Sequence, residues 1–174
     1  PYFTNQIEIA RQVAMSLPDD YTLVVKEHPA MVGKRPPSYI EKIARTPNIK
    51  LIDYRIPSSE ILKKADLIVS PNGTTVLEAA FYYKPVIQLG NLGTLLKLPN
   101  VFKHTDMTTL SGKIKELVGK NLKSAEYEKR LENYIAACSD TGLYLNYFGI
   151  WERGEKDNMD ALWDFYLQEL LRII

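Results

Sequence analysis

Apolar positions along the first ninety residues fall into two alternating rhythms. Ile9, Ala10, Val13, Ala14 and Leu17 recur at three- and four-residue intervals. That spacing predicts an amphipathic helix, capped by Thr4 or Asn5 and running to about Ser16. Pro18, Asp19 and Asp20 stop it, and Thr22-Leu23-Val24-Val25 then reads as a buried strand. The alternation repeats three times. Helical spacing over 38–46 precedes a strand-like Ile49 to Ile52, 58–65 precedes Leu67 to Ser70, and 74–83 precedes Val86 to Leu89. Four short apolar strands, separated by helices of roughly ten residues, predict parallel β-α units buried on both faces.

Right-handed crossovers would fold such units into an α/β protein, a three-layer Rossmann-like parallel sheet. Residues 91–105 read as loop, around Gly93 and Pro99, and the β signal then fades. Helical patterns follow at 108–118, 124–138 and 158–173. The last carries Met159, Leu162, Trp163, Tyr166, Leu167 and Leu170 on one face. Between the last two, Thr141 to Trp151 holds Tyr144, Tyr147, Phe148 and Trp151 with Leu143, Leu145 and Ile150. That stretch is too apolar for a free linker and reads as core or interface. The expected organisation is a Rossmann-like domain over 1–105 and a helical extension over 106–174 packed on it.

Composition removes several classes of function. The chain has 174 residues, with 22 basic and 21 acidic side chains, for a net charge of +1. That balance gives no field to attract nucleic acid or an anionic membrane. Hydrophobic residues at 45% exclude a disordered chain. One cysteine, Cys138, excludes an internal disulfide and fits a reducing compartment. With only His28 and His104 beside it, a structural zinc site is not expected, and no metal or other cofactor is assigned. No apolar run approaches the ~20 residues of a spanning helix. The chain starts Pro-Tyr-Phe-Thr-Asn, without methionine or signal pattern, and reads as the cut end of a longer protein.

In an open parallel sheet, ligands gather at the carboxyl ends of the strands. The residues there are Lys26-Glu27-His28-Pro29, Asp53-Tyr54-Arg55, Pro71-Asn72-Gly73-Thr74-Thr75 and Gly90-Asn91. Asn72, Gly73, Thr74 and Thr75 lead straight into a helix. Glycine permits close approach, and two hydroxyls with unpaired N–H groups suit a phosphate. Glu78, four residues after Thr74, projects on the same face and could accept both hydroxyls of a ribose. The plainer alternative makes Thr74 or Asn72 an N-cap and Glu78 a solvated acid. His28 and Lys26, with Arg35 in the loop that follows, could complement a diphosphate or phosphodiester. Lys34 reads as solvated, and His104 as structural. Asp19 and Asp20 fall at the wrong end of a strand for a metal site. No Gly-x-Gly-x-x-Gly, Walker or Gly-x-Ser-x-Gly motif is present. No residue is assigned as catalytic.

The ordered motifs Val24-Val25-Lys26-Glu27-His28-Pro29, Ser58-Ser59-Glu60-Ile61-Leu62, Ala65-Asp66-Leu67-Ile68-Val69, Asn72-Gly73-Thr74-Thr75-x-Leu77-Glu78-Ala79 and Lys84-Pro85-Val86-Ile87-x-Leu89-Gly90 resemble a known family. They are similar to the C-terminal, donor-binding half of capsule polysaccharide biosynthesis proteins. Those are two-domain GT-B glycosyltransferases, some of which transfer Kdo from its CMP conjugate. The resemblance covers about residues 1–105. It implies that His28 and Pro29 contact a nucleotide phosphate, that Gly73, Thr74 and Thr75 bind phosphate, that Glu78 meets the ribose, and that Ser58 lies near the base. Gly90 closes the series. Asn-Gly-Thr-Thr stands where many members read Asn-Ser-Thr, which leaves the donor open between CMP- and UDP-linked sugars.

The resemblance further implies a cytoplasmic protein, placed at the inner face of the cell membrane in the peripheral case. Its partners would be the nucleotide-sugar donor and an N-terminal acceptor domain of the same protein. The chain would begin at the helix after the first strand of its domain and lack that strand as well as the acceptor domain, which usually supplies the catalytic base, so the isolated chain is expected not to transfer sugar. An exposed terminal helix would favour dimers. A sugar-nucleotide 2-epimerase, a glycerophosphate or polyol-phosphate transferase, and a non-catalytic binding module remain as alternatives.

Overall fold

The computed structural model describes residues 5–91, 93–146, 149–150 and 153–173. Thr4, and the Tyr147, Phe148 and Trp151 of the predicted aromatic segment, lie outside the described residues. The chain divides into two compact units, Pro1–Leu131 and Glu132–Ile174.

The first unit alternates strand and helix as its apolar pattern predicts. Helix α1 (Gln6–Ser16) is followed by β1 (Leu23–Lys26), α2 (Pro37–Ala44), β2 (Ile49–Ile52), α3 (Ser58–Lys64), β3 (Ile68–Ser70), α4 (Thr75–Ala80), β4 (Val86–Gln88), β5 (Val101–Lys103) and α5 (Leu110–Leu117). Helix α6 (Ala125–Thr141) carries the boundary between the units, and α7 (Lys156–Ile173) belongs to the second. Asn5 caps α1 by accepting the Glu8 N–H at 3.2 Å, which satisfies one of the donors a helix start leaves free. In α7 the exposed rings of Trp163 and Tyr166 stack one turn apart, with centroids 6.1 Å from each other. Among the described residues, no helix is long and apolar enough to cross a membrane.

All described strand pairs are parallel, and they form two sheets. One holds β1 and β2, with Leu23 opposite Ile49. The other runs β3-β4-β5, with Ile68 opposite Val86 and Val86 opposite Val101. The fold is α/β with Rossmann-like alternation, divided between these sheets. Strand β5 corrects the expectation of loop across 91–105. It is only three residues long and follows Pro99-Asn100, so it carries no periodicity to read. Its pairing is set by buried Asn100. The side-chain amide there donates to Val76 O at 3.2 Å and Lys84 O at 3.1 Å, while Asn100 O accepts the Val86 N–H at 2.8 Å.

The core lies under β4. Ile87 and Leu89 pack with Val13 of α1 and with Leu110, Ile114 and Leu117 of α5, all nearly or fully buried. The other face of β4 is buried as well, and α4 packs on β3 with Val76, Ala79 and Ala80 fully buried. Helix α1 touches α2 and α5, whereas α3 touches α4. These contacts give a layer on each face of the three-stranded sheet. Burial on both faces, expected of every strand, holds for β4 but not for β1 and β2, where Val24 is 46% exposed and Leu51 36%. Among the described residues, β1 has a strand on one side only.

Candidate functional site

At the carboxyl end of the three-stranded sheet, β3 ends in Ser70, whose hydroxyl donates to Asn72 O at 2.9 Å and tightens the turn. Gly73 sits at φ +145°, a conformation that L side chains rarely adopt, so the turn requires glycine there. Thr74 already has helical backbone angles, and its side chain makes no capping bond. Among the described residues its hydroxyl reaches only Glu78 Oε1, at 3.5 Å, the outer limit of a hydrogen bond. Side-chain capping therefore does not account for Thr74. Helix α4 has six residues, shorter than its apolar pattern predicts, so its dipole is small. The turn's own N–H groups and hydroxyls are what it offers an anion.

Gly90, just past β4, touches the same turn. A Cβ there would lie 2.3 Å from Pro71 O, a distance no real side chain tolerates. Only glycine lets the two turns meet. On the neighbouring strand, Lys103 Nζ donates to Asn91 Oδ1 at 3.1 Å. Lys103 was not legible as a rim residue because β5 was not recognised. His104 N donates to Gln88 O at 3.0 Å, and its Nε2 lies 3.2 Å from Thr109 Oγ1, a local structural role. Gln88 is a second residue that the sequence reading passed over. It is fully buried, in register with Ser70 and Lys103, and among the described residues neither its amide oxygen nor its nitrogen has a partner. The signal was present as a polar residue inside Val86-Ile87-Gln88-Leu89. An unpaired buried amide is costly, and packing does not explain it.

The second group gathers at the carboxyl end of β1 and β2. Lys26 is the last residue of β1 and is half-buried. Glu27 organises the loop that follows. One of its oxygens accepts the His28 N–H at 2.9 Å, and the other accepts Arg35 Nη1 at 3.1 Å, with both side chains about four-fifths buried. Arg35 also lies 4.7 Å from the centre of the Tyr39 ring. Its guanidinium is thus engaged in closing the loop. Burial raises the Tyr39 phenol above its ordinary range, and the nearby Arg35 charge opposes that shift. His28 is exposed, and its Nδ1 accepts the Ala30 N–H at 3.2 Å. A neutral imidazole held that way carries its proton on Nε2, so the free nitrogen is a donor.

A cleft of about 390 Å³ opens here, lined by Glu27, Met31, Arg35, Ile40, Asp53 and Arg55 among others. Asp53 and Arg55 form a forked pair, with Nε 3.0 Å from each carboxylate oxygen. Those side-chain bonds, with the Arg55 backbone N–H, hold the Asp53 carboxyl down at about 2. Ser58, the first residue of α3, is half-buried, and Lys34 is exposed as expected. A smaller cleft of about 270 Å³, bordered by Asp66, Lys84, Lys120 and Lys123, lies away from both groups.

The predicted site residues thus fall into two clusters. Asn72, Gly73, Thr74, Thr75, Glu78 and Gly90 share the β3-β4 rim. Lys26, His28 and Arg35 share the β1-β2 rim, where Ser58 begins the next helix. No hydrogen bond or ion pair among the described residues joins the clusters. No three of His, Cys, Asp and Glu gather as a metal site would need, again among the described residues.

No protein-family model and no curated protein matches the chain. Among solved structures, it is similar to the glycotransferase of kitacinnamycin, with a TM-score of 0.40 and 15% identity. That likeness covers 80% of this chain and 35% of the other, so the chain spans about a third of the length of the protein it matches.

Proposed function

We propose that this chain is the donor-nucleotide-binding part of a glycosyltransferase of surface-polysaccharide synthesis, taking a CMP- or UDP-linked sugar. The observation that carries this reading is the contact between Gly90 and Pro71. It pins the hydroxyl-bearing turn Asn72–Thr75 at the carboxyl end of a parallel sheet, where ligands of this architecture bind. Thr74 there has no capping duty, and Gly73 keeps the backbone open.

In this reading the Thr74 and Thr75 hydroxyls and the turn's N–H groups hold the phosphate of the leaving nucleotide. Glu78 accepts the ribose hydroxyls. His28 donates from Nε2 to a phosphate oxygen, a role its Nδ1 contact supports and one that does not make it a base. Lys26 supplies positive charge, and Ser58 meets the base. Catalysis is then mainly electrostatic, through donors aimed at the charge that develops on the departing nucleotide. The acceptor and a general base come from a further domain of the same protein, and this chain alone is expected to show no sugar transfer.

Thermal-shift measurements with CMP, CDP, UMP and UDP test the proposal. Stabilisation by a cytidine or uridine phosphate is expected. Thr74→Ala with Thr75→Ala should weaken that binding by about 1–3 kcal/mol through lost charge-assisted hydrogen bonds. Binding unaffected by the double substitution would place the phosphate elsewhere, and no stabilisation by any of the four would remove the reading.

A further inference from the structure

A row of polar residues closes the three-stranded sheet. Ser70, Gln88 and Lys103 are the last residues of β3, β4 and β5, and they stand in register. In-register neighbours of a parallel sheet lie roughly 4.8 Å apart and point to the same face. Ile87 and Leu89 pack in the core with Val13 of α1 and with α5, so Gln88 between them points to the opposite face, where α4 packs on β3. Ser70 and Lys103 share that face. Just past the row come the Asn72–Thr75 turn and the Gly90-Asn91 turn, which meet where Gly90 touches Pro71.

The outer members of the row each hold one turn. The Ser70 hydroxyl donates to Asn72 O, and Lys103 Nζ donates to Asn91 Oδ1. Gln88 between them is fully buried, and among the described residues both ends of its amide lack a partner. The row itself contains a match for each end. Gln88 Oε1 suits an ammonium proton of Lys103, and Gln88 Nε2 suits a lone pair of Ser70 Oγ, whose own proton already goes to Asn72 O. Lys103 is exposed, bonds only to a neutral amide and makes no ion pair among the described residues. The backbone N–H groups of Gly73, Thr74 and Thr75 likewise have no acceptor among the described residues. An unpaired cation and a run of free donors at one end of one sheet are what an anion needs.

We infer that Lys103 is the cation that binds a phosphate or diphosphate at the Asn72–Thr75 turn, and that Gln88 is the buried residue that positions it. When the anion occupies the turn, Lys103 leaves Asn91. Its ammonium donates to a ligand oxygen and to Gln88 Oε1, while Gln88 Nε2 donates to Ser70 Oγ. The relay Lys103–Gln88–Ser70–Asn72 then satisfies the buried amide and ties the cation to the turn that holds the ligand. Lys103 belongs to the same sheet as that turn, whereas Lys26 and His28 stand on the rim of the other sheet. The inference rests on the proposed reading of the turn as a phosphate site, and it is independent of the nucleoside that the phosphate carries.

Titration of the chain with inorganic pyrophosphate, CMP and UDP, followed by NMR, tests it. Lys103→Gln should weaken binding at least about tenfold through the lost charge-assisted hydrogen bond. Lys115→Gln removes the same charge from an exposed position on α5 and should change binding less than about twofold. The side-chain amide signals of Gln88 should move with the saturation curve in the unaltered chain and stay still in Lys103→Gln. Gln88→Leu removes a buried unpaired amide, so it should be at least as stable as the unaltered chain in denaturant, yet bind about threefold or more weakly. In the Lys103→Gln background the same change should have no further effect on binding, because the two residues act as one unit. The inference is overturned if Lys103→Gln binds as well as Lys115→Gln, if the Gln88 amide ignores the ligand, or if Gln88→Leu weakens binding equally in both backgrounds. Pyrophosphate binding that depends on Lys103, with no added affinity for CMP or UDP, keeps the inference and removes the nucleotide reading. Nucleotide binding unmoved by Lys103→Gln does the reverse, and no binding of any of these probes removes both.

Discussion

Strands β4 and β1 are both short and both parallel to a neighbour, yet their surroundings differ. Every residue of β4 is buried, whereas β1 leaves Val24 46% exposed and its partner β2 leaves Leu51 36% exposed. Strand β4 has a strand on each side and helices over both faces. Strand β1 has one described neighbour. An apolar sequence therefore does not fix burial by itself, because burial also depends on what completes the layer around it. The stability of the first unit is expected to be concentrated in the three-stranded sheet.

The largest test of that contrast pairs two truncations. Ile87→Ala, under α1 and α5, should cost about 3–5 kcal/mol in denaturant unfolding, as large-to-small changes in a packed core do. Val24→Ala should cost less than about 1 kcal/mol. Equal losses would break the comparison. A middle-sized effect is expected at Asn100. Its amide satisfies two backbone carbonyls in a fully buried position, and Asn100→Ala should cost about 1–3 kcal/mol with loss of amide protection along β5. Protection of β5 that survives the change would show that its pairing does not depend on that turn.

The smallest effect sharpens the other rim. Arg55 depresses the Asp53 carboxyl to about 2 from an ordinary 3.8. A carboxyl whose folded value is depressed contributes stability above its unfolded value and loses it as the pH falls through the folded one. Any contribution from Asp53 should thus fade between about pH 4 and pH 2. Carboxyl titration followed by NMR should place its midpoint near 2, and Arg55→Ala should raise it part of the way to the ordinary range, because the backbone N–H of residue 55 still donates to it. A midpoint unmoved by that substitution would mean that the forked pair does not persist in solution.

Much of this was legible in the residues. The β-branched runs gave β1 to β4, and the three- and four-residue apolar spacing gave α1 and the later helices. Turn chemistry singled out Asn72–Thr75 as a candidate site, and of that expectation the backbone angle at Gly73 is the part the structure carries. Strand β5 was not legible because three residues carry no period. The division into two sheets was not legible either, since local patterns report strands but not which edges meet. Gln88 was visible as a polar residue in an apolar strand but lacked a partner in sequence to give it meaning. The engagement of Arg35 by Glu27 joins residues eight apart through loop geometry, which no spacing rule encodes.

The central functional claim is that a nucleotide phosphate lies against the Asn72–Thr75 turn with His28 on the same ligand. Titrating the isotopically labelled chain with CMP or UDP, while following backbone amides and the His28 ring by NMR, tests it most directly. The account predicts that the amides of Gly73 to Val76 and of Gly90 shift with the same saturation curve as His28 Nε2. Shifts confined to the cleft around Asp66, Lys84 and Lys120, or a His28 ring indifferent to the ligand that moves Thr74, would contradict it.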